Sequence, residues 1–286
     1  MDYLVSVATM AGISILMALS FYLPFMTGQI SLGQAGFMAI GAYGAGVCTA
    51  KWGLAYVPAV LAGGLFAGIV GLLLGLPALR IKGIYLLLLT LGFGEIVRVV
   101  AINLEYTGGA QGFPGIPYQK HTLFYAYGMV LLLIVFFHRL RNSRIGRAFQ
   151  AVGSDETAAE ILGVNITAAK LLAFSVGAFI AGVGGGIFAH HAEYVEPLMF
   201  GVMHAVEFIV FTIFGGTQIY WGPIVGALVL TFVPEFLRVV QTWRLELFGA
   251  LLIVMMMVRP QGLIGVDTVE GVEKVVRRVL GRARQG

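Results

Sequence analysis

The chain has 286 residues, of which 59% are apolar and only 11% charged, and its mean hydropathy is +0.92. No water-soluble domain of ordinary composition combines these values, so the sequence reads as an integral membrane protein that crosses a bilayer many times. The net charge of +4 does not indicate a nucleic-acid partner, because the basic residues flank apolar stretches and form no stripe interleaved with aromatics.

A helix needs roughly 20 mostly apolar residues to cross a ~30 Å hydrocarbon layer. Windows of that kind place spans near 4–26, 34–50, 54–77, 84–104, 121–138, 170–191, 199–216, 221–240 and 246–258. The expected fold is all-α, a polytopic transmembrane helix bundle of about 8–9 spans. The second and last spans are short, which leaves open a broken or re-entrant element at either place. The N-terminus carries Asp2 and no basic region ahead of its apolar run, so that run reads as a first span rather than a cleaved signal.

Forty glycines suit such a bundle, since helices in lipid associate by close backbone approach at small residues. Gly64 and Gly68, Gly71 and Gly75, Gly182 and Gly186, and Gly222 and Gly226 are each four apart, on one helix face. Cys48 is the single cysteine, so an intrachain disulfide is impossible and packing is its expected role.

Lys and Arg are retained on the cytoplasmic side. Arg80 and Lys82 share one loop, Arg139, Arg141, Arg144, Arg147 and Lys170 bracket the longest loop at 139–169, and Arg259, Lys274, Arg277, Arg278, Arg282 and Arg284 fill the end of the chain. Alternating spans put all three segments on one side, with the N-terminus and residues 105–120 opposite. One membrane domain over 1–265 and a basic cytoplasmic tail over 266–286 follow. Asn165-Ile-Thr167 matches a glycosylation acceptor but falls in the cytoplasmic loop.

Within that loop, Ser154 to Gly163 has a capping serine, acids in the first turn (Asp155, Glu156) and a terminal glycine, so it predicts a helix of about two turns. Such a helix could dock into a groove on a soluble partner, or be an ordinary connector.

Several stretches in chain order carry a resemblance. They are Gly28-Gln-Ile-Ser-Leu-Gly-Gln-Ala-Gly-Phe37, Leu79-Arg-Ile-Lys-Gly-Ile-Tyr85 running into Thr90-Leu-Gly-Phe-Gly-Glu-Ile-Val-Arg98, Thr107-Gly-Gly109 through Gly112 to Gly115-Ile-Pro117, Phe214-Gly-Gly216 with Trp221-Gly-Pro223, and Arg259-Pro-Gln-Gly-Leu263. Together these resemble the LivM-type membrane permease subunits of branched-chain amino acid ABC importers, whose close relatives include urea and short-chain amide permeases. The resemblance implies a bacterial inner-membrane permease, multi-pass, with its N-terminus outside and C-terminus cytoplasmic. It also implies a second, similar permease chain, two cytoplasmic ATPase subunits and an external solute-binding protein as partners. In that family the loop carries Glu-Ala-Ala, three residues, then Gly. Here Ala158, Ala159 and Gly163 keep the spacing, while Thr157 stands where the Glu would be and Glu156 lies one residue earlier.

No Gly-Lys dipeptide occurs, hence no P-loop, so no ATP site of that kind and no cofactor is expected in this chain. Energy would enter from the ATPases through Asp155, Glu156, Ala158, Ala159 and Gly163. Candidates for the path of a small polar or zwitterionic solute are Gln29, Ser31, Gly33, Gln34 and Gly36, at the break between the first two spans, where irregular backbone could expose amides and carbonyls; a tight Gly-rich turn with solvated side chains is the other reading. Glu95 and Arg98 lie three apart and are expected to pair with each other. Glu207 sits in an apolar run, as a neutral buried acid or the mate of a residue on another helix. His190 and His191 are adjacent and so cannot share a helix face, which argues against a metal site; with His204 they are expected at an outer interface. No catalytic set of Ser, His and Asp or pair of carboxylates is apparent, so an enzyme is not expected. A self-sufficient channel or ion-coupled carrier, which would rely on Glu95 and Glu207, remains the reading from a different class, with a structural scaffold third.

Overall fold

A computed structural model describes residues 2–79, 81, 83–236, 249, 253, 257 and 262–263. Its helices are α1 (Asp2–Phe25), α2 (Gln34–Ala50), α3 (Tyr56–Ala78), α4 (Ile84–Asn103), α5 (Thr122–Asn142), α6 (Arg144–Ser154), α7 (Glu156–Ile161), α8 (Ile166–Ala192), α9 (Val202–Gly215) and α10 (Trp221–Phe236). Five of these, α1, α3, α4, α5 and α8, are long and apolar enough to cross a membrane. The molecule is therefore largely helical, as the hydropathy pattern predicts. The departure from all-α is a two-residue antiparallel bridge, in which β1 (Phe113–Pro114) pairs with β2 (Tyr194–Val195). The span expected near 246–258 and the tail 266–286 lie outside the described residues except at isolated positions.

The core is assembled from helices whose small residues face inward. Along α3 the buried positions Ala59, Gly63, Ala67, Gly71 and Gly75 recur every fourth residue, while Leu61, Leu65, Leu72, Leu73 and Leu76 are exposed. In water this arrangement would be inside out. In hydrocarbon the large side chains lose nothing by facing outward, and the small ones let backbones touch. A methyl group on Gly41 of α2 would lie 2.0 Å from the Gly182 carbonyl oxygen of α8, and one on Gly63 of α3 would lie 2.6 Å from the Gly41 carbonyl oxygen. Thus α2, α3 and α8 form a three-helix centre in near backbone contact. Each glycine pair noted in the sequence lies in such a contact: Gly64 and Gly68 against α8 at Val183 and Phe179, Gly71 and Gly75 against Ala178 and Leu171, Gly182 and Gly186 against α3 at Ala67 and Val60, and Gly222 and Gly226 against the end of α9.

The 14 and 16 residues of α9 and α10 make them roughly 21 and 24 Å long, short of a ~30 Å core. They form a hairpin closed glycine on glycine. A methyl on Gly215 would lie 1.8 Å from the Gly222 carbonyl oxygen, and one on Gly226 would lie 2.0 Å from the carbonyl oxygen of Phe211. The chain returns to this turn much later, where the Leu263 N–H donates to the Phe214 carbonyl at 3.0 Å.

Candidate functional site

The break between α1 and α2 begins where Pro24 sits in the last turn of α1. The Pro24 carbonyl accepts from the Thr27 N–H at 3.0 Å, the Thr27 hydroxyl at 2.8 Å and the Gln29 N–H at 3.1 Å, closing the helix end. Gly28 turns the chain with φ +75°, a conformation strained for any residue with a Cβ. The Leu32 N–H then donates to the Thr90 hydroxyl of α4 at 2.9 Å, and Ser31 Oγ accepts from the Gly33 N–H at 3.1 Å. α2 starts at Gln34 with no side-chain cap. A methyl on Gly36 would lie 3.0 Å from the Gly94 Cα, so α4 closes the other wall, with the Phe93 and Phe37 rings tilted to each other at 4.9 Å.

These polar side chains are not solvated. Gln29, Ser31 and Gln34 are 2%, 1% and 1% exposed. Gln34 Oε1 accepts from the Ser20 hydroxyl at 3.5 Å, but its Nε2, and both amide atoms of Gln29, have no hydrogen-bond partner among the described residues. Each buried polar group left without a partner costs about 1–3 kcal/mol, far more than a packing role warrants. The break thus holds hydrogen-bonding capacity inside the bundle, against α1, α4 and α6.

Residues 139–169 contain two helices, not one. α6, which the sequence reading passes over, buries Gly146, Phe149 and Val152 and exposes Arg144 and Arg147; Ser143 caps it, accepting from the Gly146 N–H at 3.1 Å. α7 covers the expected helix, with Asp155 rather than Ser154 as its cap: Asp155 Oδ1 accepts from the N–H groups of Thr157 at 2.8 Å and Ala158 at 3.1 Å. The Val164 N–H donates to the Ala159 carbonyl and the Gly163 N–H to the Glu160 carbonyl, with Gly163 at φ +81°, a Schellman ending. Asn165 at once caps α8. Glu156 Oε1 accepts from Lys170 Nζ of α8 at 2.6 Å. The candidates therefore divide. Ala159 is 1% exposed and seats α7 on the bundle, Glu156 ties it to α8, and Asp155 and Gly163 define its ends, whereas Ala158 is open. The most exposed apolar side chains of the loop are Ile161 at 81% and Leu162 at 79%. Sequence reasoning passed them over, although two adjacent large aliphatics beside a helix-stop glycine were visible.

α6 meets the α1–α2 break directly. A methyl on Gly153 would lie 2.3 Å from the Met26 carbonyl oxygen, and Gly28 faces Gly153. A polar cleft of about 550 Å³ joins Leu79 at the end of α3 to Glu160, Asn165 and Lys170. The break, residue 79 and the loop 139–169 thus share one end of the bundle. At the other end, Lys51 reaches the Tyr106 carbonyl, Tyr194 Oη donates to the Gln111 carbonyl at 2.6 Å, and Ser6 bonds His191 at 3.0 Å. Burial and the Glu196 carboxylate together hold the Tyr194 phenol above its usual range.

Glu95 and Arg98 pair as their spacing predicts, with Oε2 accepting from Nε at 2.8 Å and Nη2 at 2.5 Å, each side chain about a third exposed. Glu207 is not buried but lies exposed on α9, beside a cavity of about 240 Å³ that His204 also lines. His190 is not at an outer interface either: it is 1% exposed, with Nδ1 2.7 Å from the Gly186 carbonyl and Nε2 3.0 Å from the Thr49 hydroxyl, and it packs edge-on to Tyr56.

A glycine-knit bundle with helices long enough to cross a membrane is a fold many membrane proteins could share, and comparison with known proteins defines the class. The chain belongs to the family of permease components of branched-chain amino acid transport systems, whose profile matches residues 3–259. Within it, the chain is similar to the high-affinity branched-chain amino acid transport permease proteins LivM of Salmonella typhimurium and Escherichia coli, 33% identical to each over 91% of this chain and 69% of the relative. It is also similar to the high-affinity branched-chain amino acid transport permease protein LivH of Salmonella typhimurium, 31% identical over 50% of this chain and 46% of the relative. No solved structure matches it.

Proposed function

We propose that the chain is the permease subunit of an ATP-driven importer of branched-chain amino acids in a bacterial inner membrane. It forms half of the translocation path beside a second, similar permease, two cytoplasmic ATPase subunits and an external solute-binding protein. The end of the bundle that carries the α1–α2 break and the loop 139–169 is the cytoplasmic one. ATP binding in the partners moves α7 and shifts the population between inward- and outward-facing states.

The observation that carries this reading is the tip of α7. Ile161 and Leu162 leave an aliphatic surface uncovered on a polar loop, next to Ala158 and Glu160, and a soluble partner's groove is what such a surface fits. The break supplies the second half of the argument. The Gln29 amide and the Gln34 Nε2, without partners among the described residues, can bond a zwitterion in passage, and branched aliphatic side chains suit the apolar walls around them.

Purification of the tagged chain from native membranes in mild detergent, followed by ATPase assay, tests the reading. The expected result is co-purification of a second permease and two ATPase chains, with hydrolysis stimulated by binding protein loaded with leucine, isoleucine or valine. Stimulation only by urea or a short amide would transfer the reading to the neighbouring permeases, and an ATPase-free oligomer that moves solute in liposomes would replace it with a carrier.

A further inference from the structure

A cavity of about 470 Å³ lies between α2, α3 and α4, away from both the break and the loop. Val47 and Cys48 line it from α2, Phe66 from α3, and Val97 and Val100 from α4. Its walls are almost wholly apolar, and Phe66 and Val100 are each 56% exposed on the outside of the bundle. The cavity therefore opens sideways, where the bilayer's hydrocarbon would be. An apolar cavity of ~150 Å³ accommodates a benzene ring, and this one is about three times larger.

The far end of the cavity is marked differently. Trp52 and Tyr106 both line it and both are exposed, as side chains with an apolar body and a polar edge are at a membrane boundary. Lys51 adjoins them. Its ammonium donates to the Tyr106 carbonyl and lies 3.5 Å from the centre of the Tyr106 ring, which leaves donors free for an anion.

We propose that this cavity holds one acyl chain of an anionic phospholipid whose phosphate is bound by Lys51. Moving an acyl chain from the bilayer into an apolar cavity changes its surroundings little, because lipid tails are as apolar as the wall. Discrimination must therefore come from the headgroup, and one lysine at a membrane surface gives a preference of roughly fivefold for an anionic over a neutral lipid.

The test uses the full chain with whatever subunits copurify, in detergent doped with equal phosphatidylglycerol and phosphatidylcholine, and counts retained lipids by native mass spectrometry. Retention of phospholipid with a roughly fivefold preference for phosphatidylglycerol is expected. Lys51→Gln should reduce that preference to parity, Lys51→Arg should keep it, and Val100→Trp should expel both lipids, with unchanged elution volume showing that each variant folds. No headgroup preference in the wild type, a preference that survives Lys51→Gln, or retained leucine or a partner's helix in place of lipid would overturn the proposal.

Discussion

Glu95 and Arg98 stand in the middle of α4 among leucines, valines and isoleucines, and each makes the other tolerable there. A lone charge at the centre of a membrane helix costs about 2.5–3.5 kcal/mol on insertion, and pairing removes most of that. Glu95→Gln alone or Arg98→Met alone should therefore lower the yield of folded protein in membranes, and the double variant should recover it. Additive losses in a fluorescence-detected gel-filtration assay would show the pair to be uncoupled. The pairing was legible because three residues of helix bring two side chains together whatever the fold. The burial of Gln29 and Gln34 was not, because the break closes against α4 and α6, both distant in sequence. His190 was misplaced for the same reason: its partner Thr49 is on α2, and adjacency to His191 says nothing of which histidine turns inward.

The element with the most local definition is α7. A six-residue helix has little stability of its own, so its caps and its seat on the bundle decide whether it persists. Asp155→Ala removes a cap worth about 0.5–2 kcal/mol, and Gly163→Ala puts a Cβ in the left-handed region at a cost of about 1–2 kcal/mol. Both should raise hydrogen exchange across residues 155–165 while leaving α2 and α8 protected; unchanged exchange in the loop would contradict the role given to the caps. Ile161→Ser with Leu162→Ser should leave that exchange unaltered but reduce co-purifying ATPase at least severalfold, because both side chains stand about four-fifths exposed among the described residues. Capping chemistry is written in consecutive residues, so α7 was found from sequence to within a few positions. α6 was missed because its signal is a sparse one, Phe149 and Val152 set among arginines, within a segment too polar to attract notice.

At the scale of the whole molecule, the loop 139–169 with its arginines gathers with residue 79 and the α1–α2 break at one end, and the β1–β2 bridge, Lys51 and Tyr106 lie at the other. With Cys48→Ala as background, a membrane-impermeant thiol reagent should label Tyr118→Cys and Gln150→Cys from opposite faces of the membrane, both positions being exposed. Labelling of both from one face would contradict the two-ended arrangement. Helix positions were readable because hydropathy and a fixed rise per residue constrain them directly: the expected 34–50 is α2 to the residue, and 84–104 differs from α4 by one. The order in which helices touch was not readable, since a bundle in lipid gives no inward-facing apolar stripe to follow. The bare backbone of its core also sets the molecule's mutational tolerance. Any base change that replaces a glycine adds atoms, and at Gly41, Gly185, Gly215, Gly222 and Gly226 even one carbon would lie within about 2 Å of a backbone carbonyl oxygen, whereas Gly92 and Gly128 face open space. In a library of random variants sorted on membrane abundance, the first five codons should come through unchanged and the last two should drift.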